Sequence, residues 1–281
     1  APATGSININ KTSEDGVIEG LSFKLESFDD EREYGDDLIP TPMAYDADGN
    51  EITSIVLTTD KNGKASTDNM QFYDINGNKI DGILPYVVDL NGFQITYRLT
   101  EIGIKQSDGT YKFPSRYEVK DAVEFTIYDT DEYNYTYDCA NTVKTGLLQV
   151  QKTSEDDVVD GLYFEISCAE TGFNEKVSTD LEGLSPEISD LPIYNSNDEL
   201  LKYKVSELGV LNDDGTYSLP YKYNKPKSVT VTLNSDTVVF ANIKNTLKTG
   251  SVKLTKTDGT KALGGSGWQL YKSDDTPISC Y

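Results

Sequence analysis

Three lysines stand at the same point of three similar stretches: ININKTSED at 7–15, VQKTSEDD at 150–157 and LTKTDGTK at 254–261. Strand side chains alternate between faces, so Ile7, Ile9 and Lys11 fall on one side, as do Leu148, Val150 and Lys152, and Val252, Leu254 and Lys256. A lysine on an apolar face is a candidate nucleophile once its amine is neutral. The same parity places Glu101 with Tyr97 and Leu99, and Glu207 with Tyr203 and Val205. At the end of each copy it places Asn141 with Cys139, and Asn242 with Val238 and Phe240. Asn245 is the rival to Asn242, but its parity turns it outward unless a bulge intervenes.

A buried lysine or carboxylate without a partner costs several kcal/mol, so a core that gathers Lys, Glu and Asn must bring them together. One arrangement is an ion pair with an amide hydrogen-bonded to it. The other is a reaction. Desolvation lowers the lysine pKa and raises the glutamate pKa, favouring a neutral amine beside a protonated acid. The amine attacks the asparagine amide, the acid hydrogen-bonds the amide oxygen and relays a proton to the leaving ammonia, and a Lys–Asn isopeptide bond results.

Strands must carry these residues. Short alternating runs such as FTIY, SVTVTL and LLQVQ lie between turn signals such as DADGN, DKNGK, DINGN and DDGT, and no segment reads as a helix. Nineteen tyrosines suit half-buried pleated surfaces. The chain has 281 residues and 37% hydrophobic composition, enough for two or three cores.

Repetition defines the modules. KTSEDGVIEGLSFKLES at 11–27 matches KTSEDDVVDGLYFEISC at 152–168, and YRLTEIGIKQSDGTYKFPSRY at 97–117 matches YKVSELGVLNDDGTYSLPYKY at 203–223. CANTVKTG at 139–146 resembles FANIKNTLKTG at 240–250. The expected organisation is one sandwich over 1–145, a second over 146–248, and the incomplete start of a third over 249–281. Lys11 and Glu101 are 90 positions apart but Lys152 and Glu207 only 55, so the first copy carries an insertion, expected at about 28–91 as a surface elaboration. Lys256 is a possible third cross-linking lysine, and the third copy implies a parent chain that continues with its own glutamate and asparagine. Here it would pack on the second sandwich or on a neighbouring molecule.

The strand-borne KTSEDG, the YxxxE strand and the closing asparagine before KTG together resemble the Cna protein B-type domains of Gram-positive surface adhesins and pilins. The resemblance covers both full repeats and the third as far as it goes. It implies an all-β, tandem immunoglobulin-like sandwich in which the first-strand lysine bonds the last-strand asparagine with the middle acid assisting. By position this assigns Lys11, Glu101 and Asn141 to the first module and Lys152, Glu207 and Asn242 to the second. The first departs from the pattern in having Cys139 where phenylalanine is common.

Forty-seven acidic against 25 basic residues give a net charge of −22, which repels nucleic acid and anionic membranes. The absence of histidine excludes Ser/His/Asp and Cys/His catalysis, and no external substrate or cofactor is implied. Cys139, Cys168 and Cys280 lack the spacing of a zinc site or disulfide framework and read as small strand residues. Asp46–Glu51 and Asp74–Asp81 offer calcium-like oxygens but read as hairpin turns, and Asn134-Tyr-Thr is a glycosylation sequon that reads as a turn. The tyrosines at 128–137 read as strand surface. Two functions remain: a covalently locked extracellular stalk on a cell wall, joined to other pilus subunits, or an adhesin whose insertion binds a host matrix protein or glycan. No LPxTG-type signal or YPK-like lysine occurs in the sequence.

Overall fold

The computed structural model describes residues 3–29, 39–68, 70–86, 94–129 and 132–278. Its regular structure is all β, and the buried side chains form two clusters, one drawn from residues 7–139 and the other from 148–243. Each cluster fills the space between two sheets.

In the first module the opening strand Ser6–Ser13 runs parallel to the closing strand Asn134–Asn141. Lys11 stands opposite Cys139, and Ser13 opposite Asn141. The facing sheet pairs Leu21–Asp29 with the central strand Ile95–Lys105, with a register shift between Glu101 and Gly103. Alternation explains the core: Ile7 and Ile9 from one sheet meet Leu21, Phe23, Leu25, Tyr97 and Leu99 from the other.

The second module repeats this plan. Thr145–Ser154 runs parallel to Val238–Asn245, and Tyr163–Cys168 pairs with Tyr203–Leu211. Lys152 stands opposite Ile243, and Ser154 opposite Asn245. A sequence-remote parallel pair closes each module, so its first and last strands are neighbours in one sheet. That adjacency is what a cross-link between them requires.

The insertion is more than surface elaboration. Ala44–Tyr45, Glu51–Ile52, Gln71–Tyr73 and Lys79–Asp81 form a four-stranded sheet of their own. Met43, Ala44, Phe72, Ile80, Ile83 and Leu84 from this region are buried in the first core. Its acidic turns are closed internally: Asp46 accepts from the backbone N–H of Asp48 and Asn50, and Asp74 from those of Asn76 and Asn78. The side-chain amides of Asn50 and Asn78 donate to the same carboxylates and, with the backbone bonds, hold both carboxyls below the usual carboxylate range.

Of the two placements expected for the third copy, packing on the second sandwich is not found. Val252, Leu254 and Trp268 are 67%, 49% and 60% exposed, so the segment is not packed on the second module. Its regular structure is one short hairpin, Leu270–Tyr271 with Pro277–Ile278. Two strands without a facing sheet have no core to bury these side chains in.

Candidate functional site

Lys11 and Lys152 are each 2% exposed. Their positions are fixed from outside the strand by a glycine turn: the Lys11 N–H donates to the Gly63 carbonyl and the Lys152 N–H to the Gly183 carbonyl, both at 2.7 Å. Both glycines hold a positive φ, and a Cβ on either would stand within 2.4 Å of the lysine's own carbonyl oxygen. Only glycine allows that approach.

The rest of KTSED places the asparagine. Glu14 accepts from the Val143 N–H, and Glu155 from the Leu247 N–H, each at 2.8 Å. The Glu14 and Glu155 N–H groups donate to the carbonyls of Asn141 and Asn245. Asp15 and Asp156 receive the hydroxyls of Tyr117 and Tyr223, each at 2.8 Å. Burial pushes Asp15 up, but bonds from Ser13, Tyr117 and Arg116 outweigh it and hold the carboxyl below its ordinary value. The motif therefore ties the end of the opening strand to the segment that follows the closing asparagine. In the third copy KTDGT lacks the Ser-Glu-Asp that makes these ties.

In the first module Lys11 Nζ donates to Glu101 Oε2 at 2.9 Å and to Cys139 Sγ at 3.3 Å. Asn141 Nδ2 donates to Glu101 Oε1 at 2.8 Å. One carboxylate thus touches the amine with one oxygen and the amide with the other. Burial pushes the Cys139 thiol above its ordinary value and Tyr137 up to about 12, so neither brings a charge to the site at neutral pH.

The second module reproduces the arrangement with a different asparagine. Lys152 Nζ lies 2.9 Å from Glu207 Oε2, though not aligned as a hydrogen bond, and Asn245 Nδ2 donates to Glu207 Oε1 at 2.8 Å. Asn245 is fully buried. Asn242, which strand parity had selected, is exposed and donates only to the Phe240 carbonyl. The inward face is Ala241, Ile243 and Asn245, while Phe240 is 42% exposed. The expectation failed because it treated the aromatic as the core residue and matched the copies on their Ala-Asn pairs. The sequence held a better signal: Asn-Thr-x-Lys-Thr-Gly occurs at both 141–146 and 245–250.

Burial lowers the Lys152 pKa, outweighing the opposing pull of Glu207. Ile243 takes the place of Cys139 here, so this amine lacks the thiol contact of the first module. Asn141 Oδ1 and Asn245 Oδ1 are buried without a hydrogen-bond partner. An amide turned about its last torsion would bring that oxygen to the glutamate instead, where a protonated carboxyl donates to it.

Lys256 is exposed and outside any strand. Cys139 and Cys168 are buried free thiols on strands, and Cys280 lies outside the described residues. No group of three metal-ligating side chains occurs among the described residues.

No family model and no curated protein matches the chain. Solved structures do. The Bacillus anthracis TIE protein superposes with a TM-score of 0.53 at 16% identity over 99% of this chain, which spans 41% of that protein. The resemblance to Cna B-type β-sandwiches holds at the level of fold. Also similar, at lower scores, are the C-terminal fragment of the pilus adhesin SpaC from Lactobacillus rhamnosus GG and the minor pilin GBS52 of Streptococcus agalactiae. SpaC gives TM-score 0.41 and 10% identity over 89% of this chain and 100% of that one. GBS52 gives 0.31 and 14% over 90% and 100%.

Proposed function

We propose that this chain is part of a Gram-positive surface protein, a pilin-like stalk whose two full modules are each locked by an autocatalytic isopeptide bond: Lys11 to Asn141 with Glu101 assisting, and Lys152 to Asn245 with Glu207 assisting. The observation that carries the reading is the shared carboxylate, buried in both modules and in contact with an amine and an amide at once. In a low-dielectric core the ion pair and the neutral pair are close in energy, and a proton moving from Nζ to Oε2 yields the free amine and the acid in one step. The amine attacks Cγ of the asparagine while the acid donates to Oδ1. The Cγ–Nδ2 bond then breaks, and the proton lost by Nζ leaves with Nδ2 as ammonia, relayed by the glutamate. The site works once per molecule and is consumed. A chain joined covalently between its first and last strands cannot be pulled open from its ends, which suits a load-bearing extracellular stalk.

Intact mass tests the proposal. The folded chain is expected to weigh two ammonias less than its sequence, and an unmodified mass would refute bonding in both modules.

A further inference from the structure

Eight turns among the described residues close through the same bond, from the N–H of the first residue to the carbonyl of the fifth, with the fourth residue at positive φ. Glycine holds that fourth place in six of them, including Gly77 and Gly183. The Asn195–Glu199 turn of the second module is an exception, with Asp198 at φ 63°. A side chain in the left-handed region is less favourable than glycine, so an outlier here points to something the aspartate does.

Its carboxylate reaches into the other module. Asp198 Oδ1 accepts from Arg116 Nη1 and Oδ2 from the Ser115 N–H, both at 3.0 Å. Arg116 is 5% exposed and is aimed by its own module: Nε donates to Asp15 at 2.8 Å and Nη2 to the Tyr117 hydroxyl at 3.0 Å. The linker is pinned on both sides, since the Lys144 N–H donates to the Arg116 carbonyl and the Lys144 carbonyl accepts from the Ile193 N–H. Beside the pair a cleft of about 540 Å³ opens between Glu14, Arg116, Glu170 and Tyr194.

We infer that Asp15, Arg116 and Tyr117 form a socket at the end of the first module that recognises the carboxylate of Asp198 and so fixes the angle between successive modules. A guanidinium already held on one edge presents its other edge in a set direction, which a lone exposed ion pair does not. The second module ends in a related arrangement with a half-exposed ammonium in place of the buried guanidinium: Lys222 lies 2.6 Å from Asp156, Tyr223 donates to Asp156, and the Lys248 N–H donates to the Lys222 carbonyl. The chemistry it fits is again a carboxylate carried on a turn.

The test uses the full chain with Asp198→Gly, which installs the residue found at the equivalent turns and removes only the carboxylate, and Arg116→Met, which removes the cation from the other side. Backbone nitrogen relaxation and small-angle scattering are read together, with thermal melting of each module as the control for folding. In the wild type both modules share one rotational correlation time. In both variants the correlation times of the two modules separate and shorten, and the scattering profile broadens to a distribution of extents. Shared tumbling retained in either variant overturns the inference, whatever the bonding state of the modules.

Discussion

Asn245→Ala separates the observed geometry from the one that strand parity suggests. A cross-link between residues 152 and 245 closes nearly the whole second module, and the loop-entropy treatment used for disulfides gives about 4.7 kcal/mol for a loop of about this length. For a module of this size each kcal/mol moves the midpoint by about 4–8 °C, so losing the bond lowers the melting temperature of the second module by roughly 20–40 °C. The amide's hydrogen bond to Glu207 is lost as well and adds about 1 kcal/mol. Asn242→Ala is the matched control, since that side chain is exposed and meets only a neighbouring carbonyl. Mass spectrometry is expected to show one ammonia lost in Asn245→Ala and two in Asn242→Ala, with the calorimetric shift confined to the former. Two ammonias lost from Asn245→Ala, or one from Asn242→Ala, would refute the assignment of the reacting amide.

Glu101→Gln and Glu207→Gln keep the size of the side chain but remove the proton relay and one of its two acceptor oxygens, and each is expected to fold and leave its own module one ammonia heavier. Gly183→Ala places a Cβ against the Lys152 carbonyl, so the lysine strand shifts and bonding in the second module slows, read as a mixed mass after brief expression. In the unbonded Asn245→Ala variant Lys152 still titrates. Its folded pKa lies below that of the unfolded chain, so it costs stability in full below the folded value, and the cost fades as pH rises from there to the ordinary lysine value. Denaturant titrations of Asn245→Ala against Asn245→Ala/Lys152→Met are expected to converge as pH rises across that window, and parallel curves would contradict the lowered amine pKa. Lys256→Ala leaves the count at two ammonias, because that lysine is exposed and outside any strand.

Period and repetition determined a great deal here. Alternation set Ile7, Ile9 and Lys11 on one face, and the duplicated KTSED and YxxxE segments marked the two lysines and two glutamates that the folded chain buries together. These placements rest on local geometry, since a strand's side-chain period is fixed by its own backbone. Asn141 was legible for the same reason. Parity alone missed Asn245, which only the repeated Asn-Thr-x-Lys-Thr-Gly marks, because the face a strand turns inward is decided by the sheet that receives it: Ala241 and Ile243 fit the second core while Phe240 stays half exposed. The insertion shows the same limit, since its composition reads as polar surface and only the folded chain brings Met43, Phe72 and Ile83 into the first core. The Ser-Glu-Asp after each lysine was visible as a repeat, but its partners Tyr117, Val143 and Asn141 lie more than a hundred residues on. Asp198 was hidden most completely. Nothing in NSNDE distinguishes it from an ordinary turn, and its partner Arg116 belongs to a different module, so the contact exists only where two separately folded cores meet.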